Sequence, residues 1–211
     1  FLSRSFSSDT RTANDAVFKD GRKSDAYTGD LGDDSFVIAQ LNDSVAGDAG
    51  GADTVRVGFA TSAHLNISGS AFLDNVVYTG TGGVTITGNG GNNSLAGALG
   101  NDTFFGGMGD DSFGVNSLFD QVNDAGGTDT VVSSIAYSIA ALADIENLTL
   151  AGTANKATGN TGTNILTGNA AANTLDGGTG ADTLIGNAGA DTYVVDNAGD
   201  QVQETMAAST R

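Results

Sequence analysis

Residues 88–132 read GNGGNNSLA GALGNDTFF GGMGDDSFG VNSLFDQVN DAGGTDTVV, nine-residue units in unbroken register from Gly88 to Val132. Residues 159–203 keep the same period as GNTGTNILT GNAAANTLD GGTGADTLI GNAGADTYV VDNAGDQVQ. An earlier run reads DGRKSDAYT from Asp20, GDLGDDSFV from Gly29 and IAQLNDSVA from Ile38; after the inserted Gly47, DAGGADTVR follows from Asp48. The sixth column of this layout is Asp or Asn throughout: Asp25, Asp34, Asp43, Asp53, Asn93, Asp102, Asp111, Asp120, Asp129, Asn164, Asn173, Asp182, Asp191 and Asp200. The eighth is apolar, from Tyr27 and Phe36 through Leu95, Phe104 and Phe113 to Leu184, Tyr193 and Val202. A fixed period of this kind marks a repeat architecture.

Gly, Asn and Asp tolerate positive φ and close backbone approach, so the first six residues of each unit predict a turn. The last three, typically Thr or Ser, an apolar residue and a third, predict a short strand whose central side chain points away from its neighbours. Such strands stack into a solenoid with the eighth column inside, and each turn needs its neighbours for stability. The expected fold is therefore all-β, a solenoid of nonapeptide turns interrupted by short strand-rich segments.

The chain divides into a basic leader or linker (1–19), a first array (20–56), connecting strands (57–87), a second array (88–132), further connecting strands (133–158), a third array (159–203) and a truncated tail (204–211). In the connectors, Asn75-Val76-Val77-Tyr78, Val84-Thr85-Ile86-Thr87 and Asn147-Leu148-Thr149-Leu150 alternate as strands do, while Ile139–Leu150 leaves room for one or two helical turns. A longer unit is visible as well. Gly32-Asp33-Asp34-Ser35-Phe36 recurs as Gly109-Asp110-Asp111-Ser112-Phe113, each followed by Asp-x-Val and then Asp-Ala-Gly-Gly-x-Asp-Thr-Val, and a third copy starts at Gly189. The chain reads as a piece of a longer array. It begins at Phe1 without the apolar run of a signal peptide, as a mature product or fragment would.

The charge balance narrows the function. Twenty-five acidic residues oppose eight basic ones for a net charge of −17, and every acid except Glu146 and Glu204 is Asp. Short carboxylates fit tight turns where Glu does not. Five of the basic residues precede residue 24, so the arrays are strongly anionic and resist compaction unless cations are bound. The same charge excludes nucleic acid as a partner. Without Cys there is no disulfide, thiolate nucleophile or Cys-zinc site, and the lone His64 precludes a multi-His centre. No apolar run is long enough for a membrane-spanning helix.

Gly106-Gly107-Met108-Gly109-Asp110-Asp111-Ser112-Phe113-Gly114 resembles in full the repeats-in-toxin (RTX, haemolysin-type) calcium-binding nonapeptide GGxGxDxUx. Gly177-Gly178-Thr179-Gly180-Ala181-Asp182-Thr183-Leu184-Ile185 is similar to it in equal degree. Units opening at Gly29, Gly97 and Gly186 replace the second Gly by Asp30, Ala98 and Asn187. The resemblance implies a right-handed parallel β-roll with several Ca²⁺ ions between turns on the same side. It implies side-chain oxygen from Asp102, Asp111, Asp182 and Asp191, then Asp34, with Asp129 intermediate. Main-chain oxygen near the first, third and fifth positions would come from Gly29, Leu31 and Asp33; Gly97, Leu99 and Asn101; Gly106, Met108 and Asp110; Gly177, Thr179 and Ala181; and from Gly186 and Ala188. Calcium's demand for six to eight oxygens at about 2.3–2.6 Å agrees with such turns, whereas Zn²⁺ and copper favour the His and Cys that are missing. Asn93, Asn164 and Asn173 lack the charge and read as ladder residues. The turns at Ile38, Val115 and Val195 lack the glycines, so Asp43, Asp120 and Asp200 are turn caps or ligands.

Other chemistries fit worse. Acid–base catalysis needs carboxylates in unlike environments, usually beside Arg, Lys or His, whereas these Asp residues repeat and Arg56 is the only basic residue from 24 to 155. No phosphate-binding GxxxxGK[ST] loop occurs, and His64 reads as an ordinary strand residue. The resemblance implies a secreted module, exported by type I secretion, that folds on calcium outside the cell. Two roles follow: a structural or adhesive surface or filament element, with copies of itself or other surface components as partners, or the folding tail of an exported enzyme or toxin. The long super-repeat favours the first.

Overall fold

The computed structural model describes residues 17–19, 26–29, 32–38, 44–47, 50–58 and 63–204. Leu31, Asp25, Asp43, most of the leader and the tail from residue 205 lie outside them. The described residues are all-β, without a helix, and wind as a parallel solenoid. None of them forms a helix long and apolar enough to cross a membrane.

One 11-stranded parallel sheet runs the length of the coil. Its strands are Val17–Lys19, Ser35–Ile38, Thr54–Val57, Asn75–Tyr78, Ser94–Ala96, Ser112–Val115, Thr130–Ser133, Asn147–Leu150, Ile165–Thr167, Thr183–Asn187 and Gln201–Glu204. The alternate strands form shorter sheets. Ala63–Asn66, Val84–Thr87, Thr103–Phe105 and Gln121–Asn123 make one; Tyr137–Ser138, Lys156–Thr158, Thr174–Asp176 and Thr192–Val194 make a second; Ala26–Thr28 pairs with Ser44–Gly47. Each coil is therefore two nonapeptides, one strand in the long sheet and one in a short sheet. Within the arrays a strand pairs with the strand two units on: Ser94 with Ser112, Ser112 with Thr130, and Ile165 with Thr183.

The eighth column fills the interior as its alternation demands. Phe36, Leu95, Phe104, Phe113, Val131, Leu166, Leu175 and Leu184 are fully buried. Phe104 of a short sheet and Phe113 of the long sheet meet across the core with ring centroids 6.2 Å apart. At the last coil the column opens: Tyr193 is half-buried and Val202 is exposed.

The three connector strands occupy the ranges their alternation predicts and lie in the same ladders as the arrays. Ile139–Leu150, which the composition left open to one or two helical turns, forms none. The backbone there makes i→i+3 turns, with the Leu142 N–H donating to Ile139 O at 2.8 Å and the Ile145 N–H to Leu142 O at 3.4 Å. They bury Ile139 and Ile145 before the strand at Asn147. His64 lies exposed in a strand, as its neighbours imply.

Candidate metal centre

The sixth column forms a carboxylate ladder on each side of the coil. In most coils the backbone N–H of a sixth-position residue donates to the sixth-position side chain one coil on. Along the long sheet, the Asp34 N–H donates to Asp53 Oδ1 at 2.8 Å, Asn93 to Asp111 Oδ1 at 2.7 Å, Asp111 to Asp129 Oδ1 at 2.7 Å, Asn164 to Asp182 Oδ1 at 2.8 Å and Asp182 to Asp200 Oδ1 at 3.0 Å. Along the short sheets, Val84 and Asp102 donate to Asp102 Oδ1 and Asp120 Oδ1, both at 2.9 Å, and Asn173 to Asp191 Oδ1 at 2.7 Å. Every such bond fixes a carboxylate in register and uses one of its two oxygens.

The second oxygen sorts the column into two kinds of turn. Oδ2 of Asp102, Asp111, Asp129, Asp182 and Asp191 is buried and receives no hydrogen bond. A buried carboxylate oxygen without a donor or cation is costly. The charge shows it: burial raises the pKa of Asp102 and Asp182 above the usual carboxylate value, against the opposing backbone N–H groups of Val84 and Asn164. Burial pushes Asp111 and Asp129 up to about 7, with the nearby Asp124 charge adding to it. Asp120 and Asp200 differ. Oδ2 of Asp120 accepts the N–H groups of Asn116 and Ser117 at 3.0 and 2.9 Å, and Oδ2 of Asp200 those of Asp196 and Asn197 at 3.0 Å. With both oxygens engaged, these two carboxylates cap their turns, and backbone N–H groups hold Asp200 below the usual range.

Four of the unpartnered oxygens, those of Asp102, Asp111, Asp182 and Asp191, face a first-position glycine. The first-position residues Gly97, Gly106 and Gly177 lie against Asp102, Asp111 and Asp182 Oδ2, so closely that a Cβ on any of them would overlap the carboxylate. The carbonyls of Gly106, Gly177 and Gly186 instead reach over Gly88, Gly159 and Gly168, the first-position glycines of the Asn93, Asn164 and Asn173 turns. Gly107 (φ +121°) and Gly109 (φ +104°) take backbone conformations that L side chains rarely adopt, which gives this turn its shape. The donor set of the Asp turns is carboxylate oxygen in a cradle that a side chain would fill, with an unsatisfied anion at its wall. This fits a hard divalent cation such as Ca²⁺ and offers nothing to a metal that prefers nitrogen or sulfur.

The remaining sequence-predicted residues fall around these cradles. Gly177 and Gly186 are buried at the first position. Leu99 and Met108 turn outward, 78 % and 61 % exposed, and Thr179 and Ala181 are exposed, so only their main chains could serve a site. Ala188 is half-buried and Asn101 exposed, with the Asn101 carbonyl reaching over Gly83. The side chains of Asp33 and Asp110 do not enter the cradles: each accepts a backbone N–H one coil on, from Ala52 and Thr128 at 2.8 Å.

Three turns need no ion. Asn93 Oδ1 accepts the Asn89 N–H at 2.8 Å while its amide donates to Leu73 O and to Asn89 Oδ1. Asn164 and Asn173 repeat this with the N–H groups of Asn160 and Asn169. The second-position partners Asn89, Asn160 and Asn169 donate in turn to carbonyls of the preceding coil: Ser70 and Leu73, Leu142 and Ile145, and Ala154. Periodicity identified the sixth-position Asn but not its second-position partner, although Gly-Asn-x-x-x-Asn recurs at 88–93, 159–164 and 168–173. The nine-residue layout also missed two ladder members in the connectors. Asp53 donates its N–H to Asp74 Oδ2, and Asp129 to Glu146 Oε2, both at 2.8 Å. Their signal is local: Asp74-Asn75-Val76 and Glu146-Asn147-Leu148 place an acid two residues before a buried apolar one, as Asp-Thr-Val does in the arrays.

The model of the RTX calcium-binding nonapeptide repeat, in four copies, matches residues 78–113 and 158–193, which contain both the cradles at Gly97, Gly106 and Gly177 and the turns of Asn93, Asn164 and Asn173. The chain matches no curated protein and no solved structure.

Proposed function

We propose, for a chain built on RTX calcium-binding nonapeptide repeats, that calcium drives its folding outside the cell and that the coil then serves as a structural or adhesive element of a surface or filament. The Ca²⁺-binding repeat module itself follows from the family. The observation that supports coupling to folding is the row of buried, unpartnered carboxylate oxygens facing first-position glycines. Without cations these sites oppose burial; with cations they hold adjacent coils together. Ions that bind only the folded form stabilise it by RT ln(1 + [Ca²⁺]/Kd) per site.

The proposed side-chain ligands are Asp102, Asp111, Asp182 and Asp191, then Asp34 and Asp129, with main-chain oxygen from the turns at 29–33, 97–101, 106–110, 177–181 and 186–190. Extracellular calcium modules bind at about 10⁻⁴–10⁻³ M. At such affinities the net charge of −17 keeps the chain open in calcium-poor cytosol, as type I secretion requires, and lets it close in millimolar calcium. The structural role is supported by the recurrence of the Gly-Asp-Asp-Ser-Phe unit and by connectors that continue the same sheets as the arrays.

The test is a calcium titration of the wild type and of Asp111→Ala and Asp182→Ala, read by far-ultraviolet circular dichroism, with sedimentation velocity at the end point. Both variants move the folding midpoint to higher calcium, and the folded wild type self-associates or binds a cell surface. Midpoints that do not move refute the ligand assignment. A folded coil that stays monomeric and binds no surface refutes the structural role.

A further inference from the structure

The oxygen that reaches over each first-position glycine changes along the coil. Over Gly88, Gly159 and Gly168 it is the carbonyl of a glycine one coil on. Over Gly106 the next coil has no glycine: its unit begins at Asp124, and Asp124 Oδ1 takes the carbonyl's place beside Asp111 Oδ2. Backbone donors hold Asp124 there, the Gly107 N–H to Oδ1 at 3.3 Å and the Gly126 N–H to Oδ2 at 2.8 Å. Asp111, Asp124 and Asp129 each bring a carboxylate oxygen within 4.8 Å of the others. Two of the three, Asp111 and Asp129, are 2 % and 0 % exposed and have Oδ2 buried without a hydrogen-bond partner. Above Gly186 the arrangement differs: the Tyr193 hydroxyl comes closest, beside Asp191 Oδ2, and donates to Glu204 Oε2.

We propose that Asp124 joins Asp111 and Asp129 in a three-carboxylate Ca²⁺ site that binds more tightly than the cradles at Gly97 and Gly177, where only the carboxylates of Asp102 and Asp182 face the glycine. The inference rests on the calcium reading above. Ligand charge count is a principal determinant of calcium affinity in oxygen-donor sites. A third carboxylate raises the attraction for the ion, and the mutual repulsion of three anions makes the same place the least stable part of the metal-free coil. As calcium rises, this site fills first and fixes the coil between Gly106 and Asp129, from which the neighbouring coils extend.

Isothermal titration calorimetry of the whole chain with CaCl₂, with chelator competition to resolve the tightest site, tests the proposal. Asp124→Asn keeps an acceptor for the Gly126 N–H but loses the charge, and Asp124→Gly restores the residue found at the ordinary first position; either suffices if the other fails to fold. Asp144→Asn, an exposed acid in the connector, controls for net charge. The tightest site is expected to weaken by about ten- to a hundredfold in both Asp124 variants, with the other sites and the control within about twofold of wild type. An Asp124 isotherm that superimposes on wild type overturns the proposal and leaves the calcium reading intact, as does equal weakening of every site in the control. A wild type that binds no calcium overturns both.

Discussion

Replacing Gly177 by Ala tests the cradle without touching a charge. Gly177 is buried, and a Cβ there would overlap Asp182 Oδ2 and lie 2.8 Å from Asp182 Cβ and Cγ. Forcing a methyl into filled space costs about 1–3 kcal/mol. The methyl also occupies the space where Asp182 Oδ2 would meet an ion, and a lost ion at ten times its Kd removes a further ~1.4 kcal/mol. The expected loss is about 2.5–4.5 kcal/mol in calcium. Gly90→Ala is the matched control: nothing lies within 4 Å of its Cβ and its φ is unstrained, so it is neutral or stabilises by up to about 1 kcal/mol. Urea unfolding monitored by circular dichroism, at calcium tenfold above the folding midpoint, measures both. Equal stabilities for the two variants would refute the placement of the ion between the first and sixth positions.

Further perturbations separate the three kinds of interaction in the coil. Asn93→Ala strips a buried side chain of its hydrogen bonds to Asn89 and Leu73 and is expected to cost about 1–3 kcal/mol while leaving calcium stoichiometry unchanged by calorimetry. Phe113→Ala empties a fully buried position against Phe104 and is expected to cost about 3–5 kcal/mol, read from the urea midpoint. Asp111 and Asp129, pushed up to about 7 in the metal-free coil, make the folded state bind more protons than the unfolded chain between about pH 4 and 7. Metal-free stability therefore falls as pH rises through that window. In chelator, β-structure is expected to be greater at pH 5 than at pH 8, and calcium affinity weaker at pH 5, because protons compete for the ligands. A chelated chain with more β-structure at pH 8 would contradict this.

The two in-phase columns made the solenoid, its strands and its core legible in the sequence. Phe104, Phe113 and Leu184 had to be inside, because a three-residue strand between turns can bury only its middle side chain. The split between Asp and Asn was legible as well, since an amide can donate to carbonyls where a carboxylate cannot. The means by which Asn93, Asn164 and Asn173 close their turns was not, because the partner four residues earlier lies in a column that is otherwise variable. Asp74 and Glu146 escaped because the ladder follows spatial register rather than sequence period. One coil is 21 residues from Thr54 to Asn75 and another 17 from Thr130 to Asn147, and the strands still pair. Glu146, one of two Glu among 25 acids, serves the shorter coil, where its extra methylene lets the carboxylate reach the Asp129 N–H. Composition left Ile139–Leu150 undecided; the segment commits its apolar residues, Ile139 and Ile145, to the solenoid core.

The most direct measurement follows the far-ultraviolet circular dichroism of the chain as Ca²⁺ is added and then withdrawn with a chelator. The account predicts little β signal without calcium near neutral pH, a cooperative gain on titration, and loss of that signal when the chelator removes the ion. A full β spectrum that forms without calcium and ignores the chelator would contradict it.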